Sequence, residues 1–295
     1  MISIIITSFK EPKTIGKAIE CVIKQNIQED YELIISAPDL ETLKIAKDYQ
    51  KYNEHIRIFK DPGKGKSYAI NLLLKRVKGK LIVLTDGDVY ISENSINEIL
   101  KEFNDNLVGC VSGRPIPQEN KNSKYGYWAN FLFDSAHKIR KKLKNSNSFL
   151  ECSGYLWAFR NNFIDKFPLN IAEDSIIPYM FFNKGYKITY AENAKVFVKN
   201  PDNWKDWIKQ KSRTTKAHKL LKYYSDSNKS PRTKTFFNES KGIFLVFSYP
   251  KSLKEFYWTQ ELIFARLYMW FKVFIETKLI HKNYSDNWDR IESTK

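Results

Sequence analysis

Three short polar stretches hold the residues best suited to chemistry. Asp86 and Asp88 flank a glycine at the end of the apolar run LIVLTDGDVYI, residues 81–91. Two like charges this close repel, and burying either alone is costly. A bound divalent cation is one reading, and a hairpin turn at Asp-Gly is the other. A second acidic pair, Glu173 and Asp174, lies in IAEDSIIPY. A carboxylate there could act as general base towards a hydroxyl, and acids at a helix start are also stabilising in their own right. Lys64 and Lys66 belong to DPGKGKSYAIN. They could meet phosphate as point charges or sit on a solvated loop. A phosphate-wrapping P-loop would need glycine five positions before the Gly-Lys pair, where Lys60 stands, and Pro62 removes a further backbone donor. That nucleotide-hydrolase reading fails.

The elements that must position these residues follow from periodicity. ISIIITS is a β-branched run of strand length, and TIGKAIECVIKQ repeats its apolar residues at the helical period. YELIISAPD, LETLKIAKDYQKY, HIRIFKDPG and SYAINLLLKRVKG continue the alternation of strand and helix, with Gly79 expected as a helix C-cap. LIVLTDGDVYI then supplies a fourth strand. This order predicts a mostly parallel α/β sheet over about the first hundred residues, with ligands beyond the carboxyl ends of the strands. TSFKE, SAPD, DPGKGK and TDGD all fall at such ends, which favours a site over a turn at Asp86–Asp88. The middle third is less regular. VGCVSGRPIP reads as strand and loop, YGYWANFLFDSAHKIRKKL as an amphipathic helix, and FLECSGYLWAFR as a strand region. AEDSIIPYMFFNKG reads as a helix closed by Gly185, YKITYAENAKVFVKNP as short strands, and YYSDSNKSPRTKT as a loop.

The 295 residues include 42% hydrophobic and 15% aromatic types, enough for a sizeable core and against extended disorder. The formal charge of +16 implies affinity for something anionic or a set of solvated basic faces. Cys21, Cys110 and Cys152 are far apart, without disulfide-framework or zinc-ligand spacing, so a reducing compartment is the default. No basic region or cleavage site accompanies the N-terminal apolar run, which argues against a secretory signal.

In order along the chain, these motifs resemble those of the inverting family 2 glycosyltransferases of GT-A fold, over roughly residues 2–218. SIIITSFKEPKTIGKAIECVIKQ resembles the opening strand, donor loop and first helix, which implies that Thr7, Phe9 and Glu11 line a nucleoside pocket. SAPD stands where an acidic residue meets base or ribose, making Asp39 the match. GKGKSYAIN resembles the segment that brings basic groups, here Lys64 and Lys66, to a diphosphate. TDGD corresponds to the DxD motif, so Asp86 and Asp88 would hold Mg2+ or Mn2+ against a nucleotide-sugar. AED resembles the motif that supplies the base, with Asp174 in that role and Glu173 orienting the acceptor or serving as a helix-start charge. QKSRT resembles a degenerate Q-x-x-R-W motif of membrane-associated polymerising members. Gln210 and Arg213 then face the donor or acceptor, although Thr214 replaces the tryptophan and puts glycan stacking there in doubt.

The resemblance implies a metal-dependent transfer of one sugar from a nucleotide-diphosphate donor, UDP before GDP, to a hydroxyl of a glycan or lipid-linked acceptor. The processive members carry several membrane spans, which are missing here, so chain extension is not supported. A cytoplasmic location is expected, with possible peripheral contact at the cytoplasmic face of the membrane. The expected organisation is a nucleotide-sugar half over 1–110, an acceptor half over 111–200 and a basic, aromatic helical extension over 201–295. In ELIFARLYMWFKVFIETKL (261–279) the charges occupy less than half the helical circumference, so the helix either packs on the domain or lies in a membrane interface. Trp204–Tyr224 is a second candidate for that contact. Rival readings are a haloacid-dehalogenase-like phosphatase built on Asp86, a basic nucleic-acid-binding protein, and a catalytically dead transferase fold serving as a binding module. Lysine outnumbering arginine, and the lack of an RNA-recognition or helix–turn–helix pattern, argue against nucleic acid.

Overall fold

The computed structural model describes residues 1–161, 163–169, 171–221, 224, 243–281 and 291–294. Strand β1 (Ile2–Thr7) leads to helix α1 (Ile15–Ile23), β2 (Tyr31–Ala37), α2 (Leu40–Gln50), β3 (Ile56–Lys60), α3 (Lys66–Leu73) and β4 (Leu81–Asp86). The expected alternation is therefore present over the first part of the chain. β5 (Val89–Ile91), α4 (Ser95–Glu102), β6 (Val108–Pro117), α5 (Lys124–Asn145), β7 (Leu156–Arg160), α6 (Glu173–Asn183) and β8 (Lys187–Val198) follow. Helices α7 (Trp204–Leu220), α8 (Ile243–Ser248) and α9 (Leu253–Phe274) complete the described elements, α9 running into a π-helical turn at Ile275–Leu279.

Among the described residues one eight-stranded sheet forms, in the order β3-β2-β1-β4-β7-β6-β8-β5. β3, β2, β1 and β4 are mutually parallel, while β7 is antiparallel to both β4 and β6. The continuous apolar runs of β1 and β4 are explained by burial on both faces. Ile4, Ile6 and Val83 pack on one side with Ile15, Ile19 and Ile96, from α1 and α4. Ile5, Ile82 and Leu84 pack on the other with Ile70 of α3 and Ile177 of α6. A third cluster joins Tyr127 and Trp128 of α5 to Trp207 of α7 and Leu262 and Met269 of α9.

Several local expectations change. Residues Gly87 and Asp88 form a turn, but it does not close a hairpin. β4 pairs with β1 and β7, whereas β5 pairs with β8 at the far end of the sheet. Gly79 is not a helix cap, since α3 ends at Leu73. Its backbone passes so close to β1 that a Cβ would lie 2.3 Å from Ser3 N, so glycine is required by approach rather than by helix termination. Residues 187–198 form a single long strand, because β8 pairs with both β6 and β5. Of FLECSGYLWAFR only Leu156–Arg160 is strand. VGCVSGRPIP is strand throughout. YYSDSNKSPRTKT lies outside the described residues, apart from Tyr224.

Candidate active site

Parallel pairing brings the ends of three strands into one row. Thr7 of β1 stands beside Ser36 of β2 on one side and Asp86 of β4 on the other. Thr7 Oγ1 donates to Asp86 Oδ1 at 2.8 Å. Lys66 Nζ, at the first residue of α3, reaches the same Oδ1 at 2.7 Å and Glu173 Oε1, at the first residue of α6, at 2.9 Å. One ammonium thus joins the acidic end of β4 to the acidic start of α6. Burial works against the charge on Lys66, but Asp86 and Glu173 more than reverse that penalty and hold its pKa well above that of a free lysine. Gly65, at φ +103°, turns the chain so that Lys66 points into this gap. α3 also anchors the segment before α6. Asn71 Nδ2 donates to the Phe167 carbonyl at 2.8 Å, its Oδ1 accepts from Phe167 N at 3.0 Å, and Ser67 Oγ donates to the Ile171 carbonyl.

The other acids surround the same gap. Asp88 and Asp174 are half-buried, and a Cβ on Gly154 would come within 2.9 Å of Asp174 Oδ2. Tyr155, at the mouth of β7, is the residue that periodicity and motif spacing missed. Thr85 Oγ1 donates to its carbonyl at 2.8 Å, fixing it beside the end of β4. Burial pushes its phenol upward in pKa; Asp88, Asp86 and Asp174 add to that, and Arg213 of α7 opposes them. Asp86, Asp88, Asp174 and Arg213 therefore share one electrostatic neighbourhood although 127 positions separate the first from the last in sequence (213 − 86). A lone tyrosine in SGYLW carries no sequence signal for this; only the antiparallel entry of β7 puts it there.

The β1–α1 loop forms the next wall. Ser8 Oγ donates to Glu11 Oε2 at 2.6 Å, and both crowd the acidic turn: a Cβ on Gly87 would lie 2.4 Å from Ser8 Oγ and 2.8 Å from Glu11 Oε2. Glycine between the two aspartates is thus a packing requirement. Glu11 N donates to Thr42 Oγ1. Asp39 caps α2, accepting from Thr42 N at 2.9 Å, and its other oxygen accepts from Lys10 N at 2.8 Å. Burial opposes ionisation of Asp39, yet these hydrogen bonds hold its pKa below the ordinary carboxylate value. Asp61, buried at the end of β3, accepts from Gly63 N and Ser36 Oγ, and burial raises its pKa. It is a second acid on this wall that the motif reading passed over.

Phe9 is half-buried on the same loop, with Lys10 Nζ 5.4 Å from its ring centroid. Lys64 is exposed, its ammonium 5.4 Å from the Tyr68 ring, apart from the Lys66 bridge. Gln210 lies one turn before Arg213 on α7; its backbone carbonyl accepts from Thr214, and its buried Oε1 has no hydrogen-bond partner. Among the described residues no three or more His, Cys, Asp or Glu side chains converge as a metal cage. Asp86 and Asp88 offer hard oxygen donors but leave most of a coordination sphere open, a donor set that fits Mg2+ or Mn2+ shared with phosphate oxygens and water.

A mostly parallel sheet with an acidic turn after its fourth strand and a second acidic helix start across the gap defines the GT-A architecture of nucleotide-sugar transferases. The residue profile of glycosyl transferase family 2 matches residues 3–167, more than half of the sequence, and the chain belongs to that family. It is similar to the hyaluronan synthase of Streptococcus pyogenes, 23% identical over 167 residues, which cover 52% of this chain and 40% of the synthase. It is also similar to the O-antigen chain rhamnosyltransferase WbaN of Salmonella anatum, 30% identical over 131 residues, 39% of each protein. The chain thus spans about two-fifths of the length of these curated relatives. Among solved structures, mannosyltransferase PcManGT from Pyrobaculum calidifontis, in complex with GDP-Man and Mn2+, superposes with a TM-score of 0.63 at 15% identity, covering 90% of this chain and 75% of that one. That family is one of glycosyltransferases, and nothing in these matches points to a phosphatase or a nucleic-acid-binding protein.

Proposed function

We propose that the protein transfers a sugar, with inversion, from a nucleotide-diphosphate donor to a hydroxyl of a glycan or lipid-linked acceptor. The observation that carries this reading is the Lys66 bridge, which places the acidic end of β4 and the acidic start of α6 on opposite sides of one gap. In this reading the nucleoside lies along Thr7, Phe9, Glu11 and Asp39, with Asp61 beside them. Lys64 and Lys66 face the diphosphate, and Asp86 and Asp88 hold the metal. The cation, when bound, offsets the charge developing on the leaving nucleoside diphosphate. Asp174 takes the proton of the acceptor hydroxyl as its oxygen bonds the anomeric carbon from the face opposite the departing phosphate oxygen. Glu173 and Arg213 orient the acceptor and the diphosphate, and Gln210 faces the donor.

UDP is the first choice of carrier, from the family resemblance; GDP is the alternative, supported by the GDP-Man held by the structural neighbour. The test is donor turnover over a panel of UDP- and GDP-sugars with Mn2+, Mg2+ or a chelator. Turnover of one donor that requires metal, and is lost in both Asp86→Ala and Asp174→Ala, is the expected result. Unchanged turnover in both variants would overturn the assignment, and retention of anomeric configuration in the product would overturn inversion.

A further inference from the structure

Helix α9 is apolar on two sides, one packed on its own domain and one facing away from it. Two acids near its inner face are tied to the protein. Glu261 pairs with Lys124 of α5, and Glu276, just beyond the helix, pairs with Lys216 of α7 and with Lys272. Small and aliphatic residues accompany them inward, with Thr259, Leu262, Ala265, Met269 and Val273 buried. A row of other large apolar residues faces out. Phe264 is 69% exposed and Phe271 62%, in line with Leu253, Tyr257, Leu267 and Phe274. At about 100° per residue these six fall within an arc of about 100°, along a helix about 33 Å long. Ordinary surfaces carry single apolar residues, but a stripe of this length marks a contact.

We infer that this stripe lies in the headgroup boundary of an anionic lipid surface, with α9 parallel to the membrane plane. Charge favours this occupant over a second copy of the chain, because two molecules of +16 repel whereas an anionic bilayer attracts. The stripe is bordered by exposed lysines, Lys251 and Lys254 at its start and Lys278 after its end. Trp204 of α7, half-exposed and 5.7 Å from the Tyr268 ring, adds an aromatic at the rim. The rest of α7 takes little part, since Trp207, Ile208 and Ala217 are buried. Among the described residues no helix is long and apolar enough to cross a membrane, so the contact is one of lying on the surface. The inference does not depend on which donor the enzyme uses.

Co-sedimentation of the full chain with vesicles tests it. Vesicles of phosphatidylcholine with about one-third phosphatidylglycerol should pellet the protein, salt should weaken the binding, and pure phosphatidylcholine should bind less. Phe264→Asp with Phe271→Asp should reduce partitioning at least about tenfold while the melting temperature and donor turnover stay at wild-type values. A wild-type chain that stays in the supernatant with anionic vesicles would overturn the inference, as would a double variant that pellets equally well. A dimer in sedimentation velocity that the same two substitutions dissolve would make a second copy the occupant and overturn it too.

Discussion

At the residue scale, the site is governed by one lysine shared between two carboxylates. Lys66 is nearly buried, so removing it takes away the ammonium that Asp86 and Glu173 share. Lys66→Met should therefore cost about 2–3 kcal/mol in chemical denaturation, somewhat below the loss for breaking a fully buried pair. Added Mn2+ should restore part of it, since a cation that binds the native acids stabilises by mass action. Because the pKa of Lys66 is raised, its stabilisation is fully present below the free-lysine value and is lost only as pH rises through the higher folded value. The bridge should thus be insensitive to pH across the neutral range. Single-turnover rates should fall by about 10²–10⁴ in Asp174→Ala, the usual share of a positioned base, with donor affinity in titration calorimetry little changed.

At the scale of elements, the donor wall is held by a cap that also serves as a tie. Asp39 closes the N-terminus of α2 and binds the Lys10 backbone of the neighbouring loop. Asp39→Ala should destabilise by about 1 kcal/mol at neutral pH, as for other N-caps. Its lowered pKa makes the stabilising contribution present above the ordinary carboxylate value and lost as pH falls through the lower folded value. The gap between variant and wild type in denaturant midpoint should therefore close in acid, below the ordinary value of 3.8. Gly79 makes a different demand, because a methyl there meets the backbone of β1 rather than a side chain that could move. Gly79→Ala should cost more than about 3 kcal/mol, measured by thermal or denaturant unfolding. Periodicity found these elements because strands buried on both faces read as unbroken apolar runs. It misjudged Gly79 since close approach between distant segments leaves no local pattern.

At the scale of the whole molecule, the described C-terminal helices are fastened to the sheet domain through α5. Tyr127 and Thr259 share a hydrogen bond of 2.7 Å, and Trp128 Nε1 donates to the Trp258 carbonyl at 2.7 Å. Trp128 also meets Trp207 edge to face. Trp128→Ala should cost about 3–5 kcal/mol by loss of buried contact. Hydrogen exchange should show the loss concentrated in α7 and α9, with β1, β2 and β4 keeping their protection. By itself the amino-acid sequence determined the alternation of strand and helix, the carboxyl-end position of Thr7, Asp39, Lys66 and Asp86, and the charged and apolar arcs of α9. Those are consequences of periods of two and 3.6 residues, which are local. Only the tertiary structure decided that Lys66 joins Asp86 to Glu173, that Tyr155 sits among the acids, and that α9 leaves the stripe of Phe264 and Phe271 uncovered. Each of those depends on strand register and helix docking, which bring together residues that no local period relates.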